Sequence, residues 1–90
     1  MARAYIDMTA VESSQIAAIG FDPKRHVLAV RFKNWKGEAT SLYHYANVSP
    51  EEYAAFLAAD SKGKFFGAHI KPNADRYPYL KVESAPGVPA

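Results

Sequence analysis

The chain has no cysteine among its 90 residues, which excludes disulfide bridges and any thiolate-held metal centre. It has no apolar run approaching the roughly 18 residues needed to span a bilayer as a helix. The first residues, MARAYIDMTAVESS, contain no apolar segment of the kind that marks a secretory leader. A cytoplasmic protein without membrane contact is therefore expected. Charge of either sign is scarce in excess: 11 Lys and Arg against 9 Asp and Glu give a net +2 and a pI near 8.9. That balance permits an anionic partner without demanding one. The chain also lacks internal repeats and low-complexity tracts.

Catalytic patterns are equally sparse. His26, His44 and His69 match no metal-ligand spacing, and there is no Cys to complete one. Ser13 and Ser14 have no nucleophile elbow around them and suit local backbone bonding at a strand start. Every carboxylate reads as a cap, a turn residue or a surface group. No enzyme chemistry, metal or cofactor is expected on these grounds.

What is present is enough apolar matter for one core: 49% hydrophobic residues and 13% aromatic ones in a single-domain length. Residues 1–10 read as a loose lead-in, with an edge strand possible from Thr9. Three extended runs follow at Ser14–Phe21, His26–Lys33 and Thr40–Val48. In the second, Leu28, Val30 and Phe32 alternate with Arg31 and Lys33, as in a half-buried strand. In the third, Tyr43 and Tyr45 share one face and Leu42, His44 and Ala46 the other. Turn chemistry at Asp22-Pro23 and Asn34–Glu38 joins the runs into a three-stranded antiparallel meander.

Ser49, Pro50 and Glu52 then spell a helix start with a capping box. Tyr53, Phe56 and Leu57 form its expected sheet-facing stripe. A second short element carries Phe65, Phe66 and Ile70, the two phenylalanines being core, and Gly63 and Gly67 keep it irregular. Tyr77–Val82 is extended, and Pro78 places it at a sheet edge. Glu83–Ala90 reads as a flexible tail. The fold class is thus α+β: a three-stranded meander, one or two short helices packed on one face, then a C-terminal edge strand, with residues 11–82 as the domain.

The densest stretch is SKGKFFGAHIKPNADRYPY, residues 61–79. It holds two glycines, four aromatic residues and four of the eleven basic ones. Ser61, Lys62, Gly63 and Lys64 could present backbone N–H groups and ammonium groups to a phosphate, although the Walker A spacing is absent. Lys71 and Arg76 would add positive charge. Tyr43, Tyr45, Tyr77 and Tyr79 could stack bases, with His44 adding a hydrogen bond. The alternative for these rings is that they fill the core or a subunit interface.

VESSQIAAIGFD (11–22), LAVRF (28–32), YHYANVSPEEY (43–53) and LAADSKGKFFGAHIKPNADRYPY (57–79) resemble the KTSC domain. That short domain occurs at the C-terminus of some lysyl-tRNA synthetases and as small stand-alone bacterial and phage proteins. The resemblance runs from Val11 to about Lys81. It is carried by the Ser13-Ser14 pair, Tyr43-His44-Tyr45, Ser61-Lys62-Gly63-Lys64-Phe65-Phe66 and Tyr77-Pro78-Tyr79. It implies no activity, and through the synthetases it implies a link to RNA.

The resulting expectation is a non-enzymatic module that binds RNA or another nucleic acid. Lys62, Lys64, Lys71 and Arg76 would converge on one face with exposed tyrosines. One alternative is a homo-oligomer that traps a nucleotide-derived small molecule between subunits. The other is a protein–protein interaction module.

Overall fold

In the computed structural model, residues 6–90 are described; residues 1–5 of the expected lead-in lie outside them. Six strands form one antiparallel sheet in sequence order: β1 (Met8–Ala10), β2 (Ile16–Asp22), β3 (Val27–Lys33), β4 (Ala39–Tyr45), β5 (Tyr79–Ala85) and β6 (Val88–Pro89). Between β4 and β5 the chain forms helices α1 (Pro50–Ala58) and α2 (Lys62–Phe65). The second continues into a π-helical turn over Phe66–Ile70 and a 3-10 turn over Lys71–Asn73.

The α+β class and the helical insertion are as expected, but the sheet is larger. The meander has four strands, not three, because Met8–Ala10 pairs antiparallel with Ala18–Gly20. Gly20 makes this possible: a Cβ there would lie 2.2 Å from the Asp7 carbonyl oxygen, so only glycine lets the backbone of the β1 side come so close. Nor is the last long strand an edge. β5 sits between β4 and β6. Pro78 precedes β5 instead of lying inside it, so its missing N–H removes no ladder bond, and its carbonyl accepts from Ala46 N at 2.8 Å. The segment read as a tail from Glu83 carries the end of β5, a turn through Gly87 at φ +78° and β6.

Turn chemistry fixes the hairpins. Asp22 Oδ1 accepts from the N–H groups of Lys24 and Arg25, at 3.0 and 3.3 Å, closing the β2–β3 turn. Asn34 Oδ1 does the same for Lys36 and Glu38 in the β3–β4 turn, at 2.9 and 3.0 Å. In β2 the spacing of Ile16 and Ile19 breaks strict alternation. A bulge between Ile16 and Ala18 absorbs the extra residue, so both isoleucines are fully buried on one face, opposite Phe32 and Val30.

That face is the core: Ile16, Ile19, Leu28, Val30 and Tyr45 from the sheet meet Val48, Phe56, Phe66, Ile70 and Tyr77 from the insertion. The opposite face has a smaller cluster of Ile6, Ala29, Leu42 and Val82. There Arg31 binds Glu83 and donates to the Thr40 carbonyl at 2.9 Å, tying β3 to β5 across β4.

The capping box of α1 is complete. Ser49 Oγ accepts from Glu52 N at 3.1 Å, and Glu52 Oε1 accepts from Ser49 N at 2.9 Å. The inward stripe is narrower than expected. Phe56 is buried and Tyr53 stacks on Phe21, but Leu57 is 43% exposed. One residue past Phe56 the helix has turned by about 100°, which carries Leu57 off the sheet.

Candidate functional site

Strand alternation and the π-helical turn together build an open aromatic cleft. Tyr43 and Tyr45 project from β4 on the core face, and Tyr79 joins them because it pairs with Tyr45 across β4 and β5. The three rings lie 5.6–6.1 Å apart, centre to centre. Phe32 meets Tyr43 edge-on at 5.7 Å, and Phe66 meets Phe32 and Tyr45 edge-on at 5.2 and 5.4 Å. These edge-to-face contacts are favourable quadrupole arrangements and fix the ring planes.

The cleft encloses about 390 Å³ and is lined by Phe32, Tyr43, Tyr45, Phe66, Ile70, Lys71, Ala74 and Tyr79. One wall is the sheet. The other is the helical segment from Phe66 to Ala74, where the backbone leaves α geometry for a π turn. Such turns are frequent at functional sites. A mostly apolar, aromatic-lined hollow of this size is suited to a small planar ligand or one unit of a larger one.

The tyrosines differ in state. Tyr45 is 7% exposed, and burial, then the neighbouring Tyr43 and Tyr79, push its phenol well above the usual range. It is a neutral donor at physiological pH. Tyr79 is 58% exposed and offers an open ring face. Among the described residues, no hydrogen bond engages the hydroxyls of Tyr43, Tyr45 or Tyr79, so all three can serve a ligand or water.

The remaining residues expected at the site are placed elsewhere. Tyr77 does not share a face with Tyr79. It precedes β5 in a turn where Arg76 N and Tyr77 N donate to the Asn73 carbonyl at 3.0 and 2.9 Å, so strand alternation does not govern it. Its ring is 3% exposed and its hydroxyl donates to Glu52 Oε2. A buried ring with a bonded hydroxyl has no face for stacking. His44 stands on the opposite face of β4 from Tyr43 and Tyr45, cross-strand from Ala29 and Leu80.

The cations do not line one cleft. Lys71 alone of the four lines the aromatic hollow. Arg76 lies 3.6 Å from Glu52 and over the Tyr77 ring, in a second hollow with Glu51, Phe65, His69 and Asn73. Lys62 Nζ donates to the Ala59 carbonyl at 2.8 Å. Ser61 Oγ accepts from Lys64 N at 3.3 Å, satisfying the start of α2 from within. Gly63 packs near Gln15 and Ser13. The Lys64 side chain is exposed and lines neither hollow.

Sequence reading missed Phe32, Phe66, Ile70 and Ala74 as cleft residues, because apolar side chains at strand and helix spacing read as plain core. Lys81 does not line the hollow but lies on the same sheet face. The register places Lys81 opposite Tyr43, hence on the tyrosine face, and it is exposed. Alternation from Tyr79 could have found it.

Glu52 is the polar hub of the second hollow. Burial raises its carboxyl pKa, but the bond from Tyr77, the bonds from Ser49 and the Arg76 charge outweigh this and hold it below its ordinary value. Burial and the Glu52 carboxylate raise the Tyr77 phenol. The clamp joins the first turn of α1 to the approach to β5.

Comparison with known proteins agrees with this architecture. The KTSC domain matches residues 12–77. A protein of Tsukamurella paurometabola is 46% identical over 65 residues, covering 72% of this chain and 90% of that one. An uncharacterised protein of Stutzerimonas stutzeri is 38% identical over 68 residues, covering 76% and 89%. The crystal structure of a KTSC domain protein from Yersinia pestis superposes with a TM-score of 0.73 at 31% identity, covering 87% of this chain and 99% of that one. The family match ends at Tyr77, so Tyr79 and Lys81 on β5 lie beyond it.

Proposed function

The chain belongs to the KTSC domain family, and we propose that it is a non-enzymatic binding module for a base-bearing anion: a nucleotide, free or as a unit of single-stranded RNA. The observation that carries this reading is the hollow of about 390 Å³, lined by the exposed Tyr79, by Tyr43 and Tyr45 and by Lys71. Base–aromatic stacking is worth about 1–3 kcal/mol per base and tolerates any base, since each has a π face. The phenols add donors and acceptors for a base edge. The expected contribution of Lys62, Lys64 and Arg76 has no support in the lining of this hollow, which favours a compact occupant over a long polyanion track.

Calorimetric titration with a mononucleotide set and with short single-stranded RNA tests the reading. Binding by either source is expected, and Tyr79→Ala should weaken it about fivefold to a hundredfold or more, the loss of one stacked base. Binding that is indifferent to Tyr79→Ala, or no binding by either ligand, refutes the assignment. Titration by RNA alone would place the nucleotide within a strand. Titration by mononucleotides with equal strength would make the small molecule sufficient.

A further inference from the structure

We infer that two copies of this chain pair antiparallel along β5, through Tyr79–Lys81, about a two-fold axis at Leu80. This pairing is independent of nucleotide binding. It starts from a short open stretch of sheet edge. β6 pairs with Glu83 and Ala85, and Ala90 N donates to the Val82 carbonyl at 3.4 Å. Upstream of Val82, among the described residues, β5 has a partner strand on its β4 side alone.

The ladder decides which backbone groups are left over. Ala46 N donates to the Pro78 carbonyl at 2.8 Å, and the register is regular from there: Tyr45 opposite Tyr79, His44 opposite Leu80, Tyr43 opposite Lys81. In an antiparallel pair, bonded and non-bonded positions alternate. Leu80 therefore turns its N–H and C=O toward His44, while Tyr79 and Lys81 turn theirs outward, away from β4. Pro78, which has no N–H, bounds this window on one side, and β6 bounds it on the other. Unpaired groups on a sheet edge template the addition of another strand.

The window is complementary to itself, which selects a second copy as the added strand. A two-fold at Leu80 sets Tyr79 against the partner's Lys81, and Lys81 against the partner's Tyr79. These are the outward-turned positions, so each such pair exchanges both of its backbone bonds. Each tyrosine ring meets a lysine ammonium, a favourable cation–π pair, and no lysine opposes a lysine. On the other face Leu80, 62% exposed, meets the partner's Leu80. An apolar hollow of about 280 Å³ adjoins that position, its lining including Val27, Ala46 and Pro78. The contact is isologous and closes at two subunits, with the two sheets continuous across it.

Because the chain has no cysteine, single introduced thiols report the register. Across a non-hydrogen-bonded pair the Cα atoms lie about 4.5 Å apart, within disulfide reach. Leu80→Cys should therefore give a disulfide-linked dimer under mild oxidation. Lys81→Cys should not, because the two copies of residue 81 are offset by two positions along the strands and lie roughly 8 Å apart. Leu57→Cys, at an exposed position on α1, reports random collision. Sedimentation equilibrium of the unaltered protein should show a monomer–dimer equilibrium. Leu80→Lys places like charges opposite each other and should be monomeric at concentrations where the unaltered protein is dimeric.

Thermal unfolding of each variant checks that these exposed substitutions leave the fold intact. An unaltered protein that stays monomeric up to about 1 mM overturns the inference. So does a dimer untouched by Leu80→Lys, or cross-linking of Lys81→Cys or Leu57→Cys equal to that of Leu80→Cys. None of these variants alters Tyr79, so nucleotide binding is judged separately.

Discussion

Tyr77→Phe removes one oxygen from the protein and isolates the Glu52 clamp. The ring volume is kept, so no cavity opens in the core around residue 77, which is 3% exposed. What is lost is the phenol bond to Glu52 Oε2. Hydrogen bonds to charged groups are worth about 1.5–3 kcal/mol net. The low end applies, because the Glu52 side chain is 26% exposed and water can replace the phenol, while Ser49 N and Arg76 still hold it. A loss of about 1.5 kcal/mol should lower Tm by about 6–12 °C in a domain of this size.

The pH dependence supplies the decisive check. The Glu52 carboxyl sits below its ordinary value of 4.5 when folded. Its stabilisation is therefore fully present above pH 4.5 and is lost as pH falls through the folded pKa. Part of that depression comes from Tyr77, so the variant has less to lose. Calorimetric Tm values of the two proteins should differ most at neutral pH and converge in acid. A gap that stays constant as pH falls until the carboxylates are protonated, or no gap at neutral pH, would refute the clamp as the source of the effect.

Two further outcomes follow from the fold and the cleft. Gly20→Ala forces a Cβ against the Asp7 carbonyl oxygen, so urea denaturation should show a loss of about 1–3 kcal/mol as β1 is pushed off β2; an unchanged midpoint would mean β1 contributes nothing. Raised by burial and by Tyr43 and Tyr79, the Tyr45 phenol gives stability that is intact below pH 10 and is lost as pH rises from 10 toward its folded pKa. Phenolate absorbance should show Tyr45→Phe with one fewer late-titrating tyrosine, and its stability should fall less above pH 10 than that of the unaltered protein.

Much of the local structure was legible because it is written in short-range chemistry. Ser49, Pro50 and Glu52 need only their own neighbours to cap α1. Asp22 and Asn34 close their turns within four residues. Leu28, Val30 and Phe32 declare their strand by alternation. The errors have two sources. Strand β1 depends on Gly20, ten to twelve residues away, leaving room for a backbone whose own sequence gives little strand signal. The edge assignment of β5 failed because Pro78 was counted inside the strand it precedes.

The candidate site divides along the same line. Sequence by itself determined the aromatic pair Tyr43 and Tyr45 on one face, the irregular glycine-bearing helix, the family resemblance and the availability of Lys71. Only the tertiary structure decided which residues meet. Register brought Tyr79 and Lys81 beside β4, a turn sent Tyr77 into the core against Glu52, and the pleat put His44 on the far face. Local propensity acts over a few residues, whereas a cleft between a sheet and a helical insertion is fixed by pairing between strands separated by more than thirty positions, and no periodicity within either strand encodes that pairing.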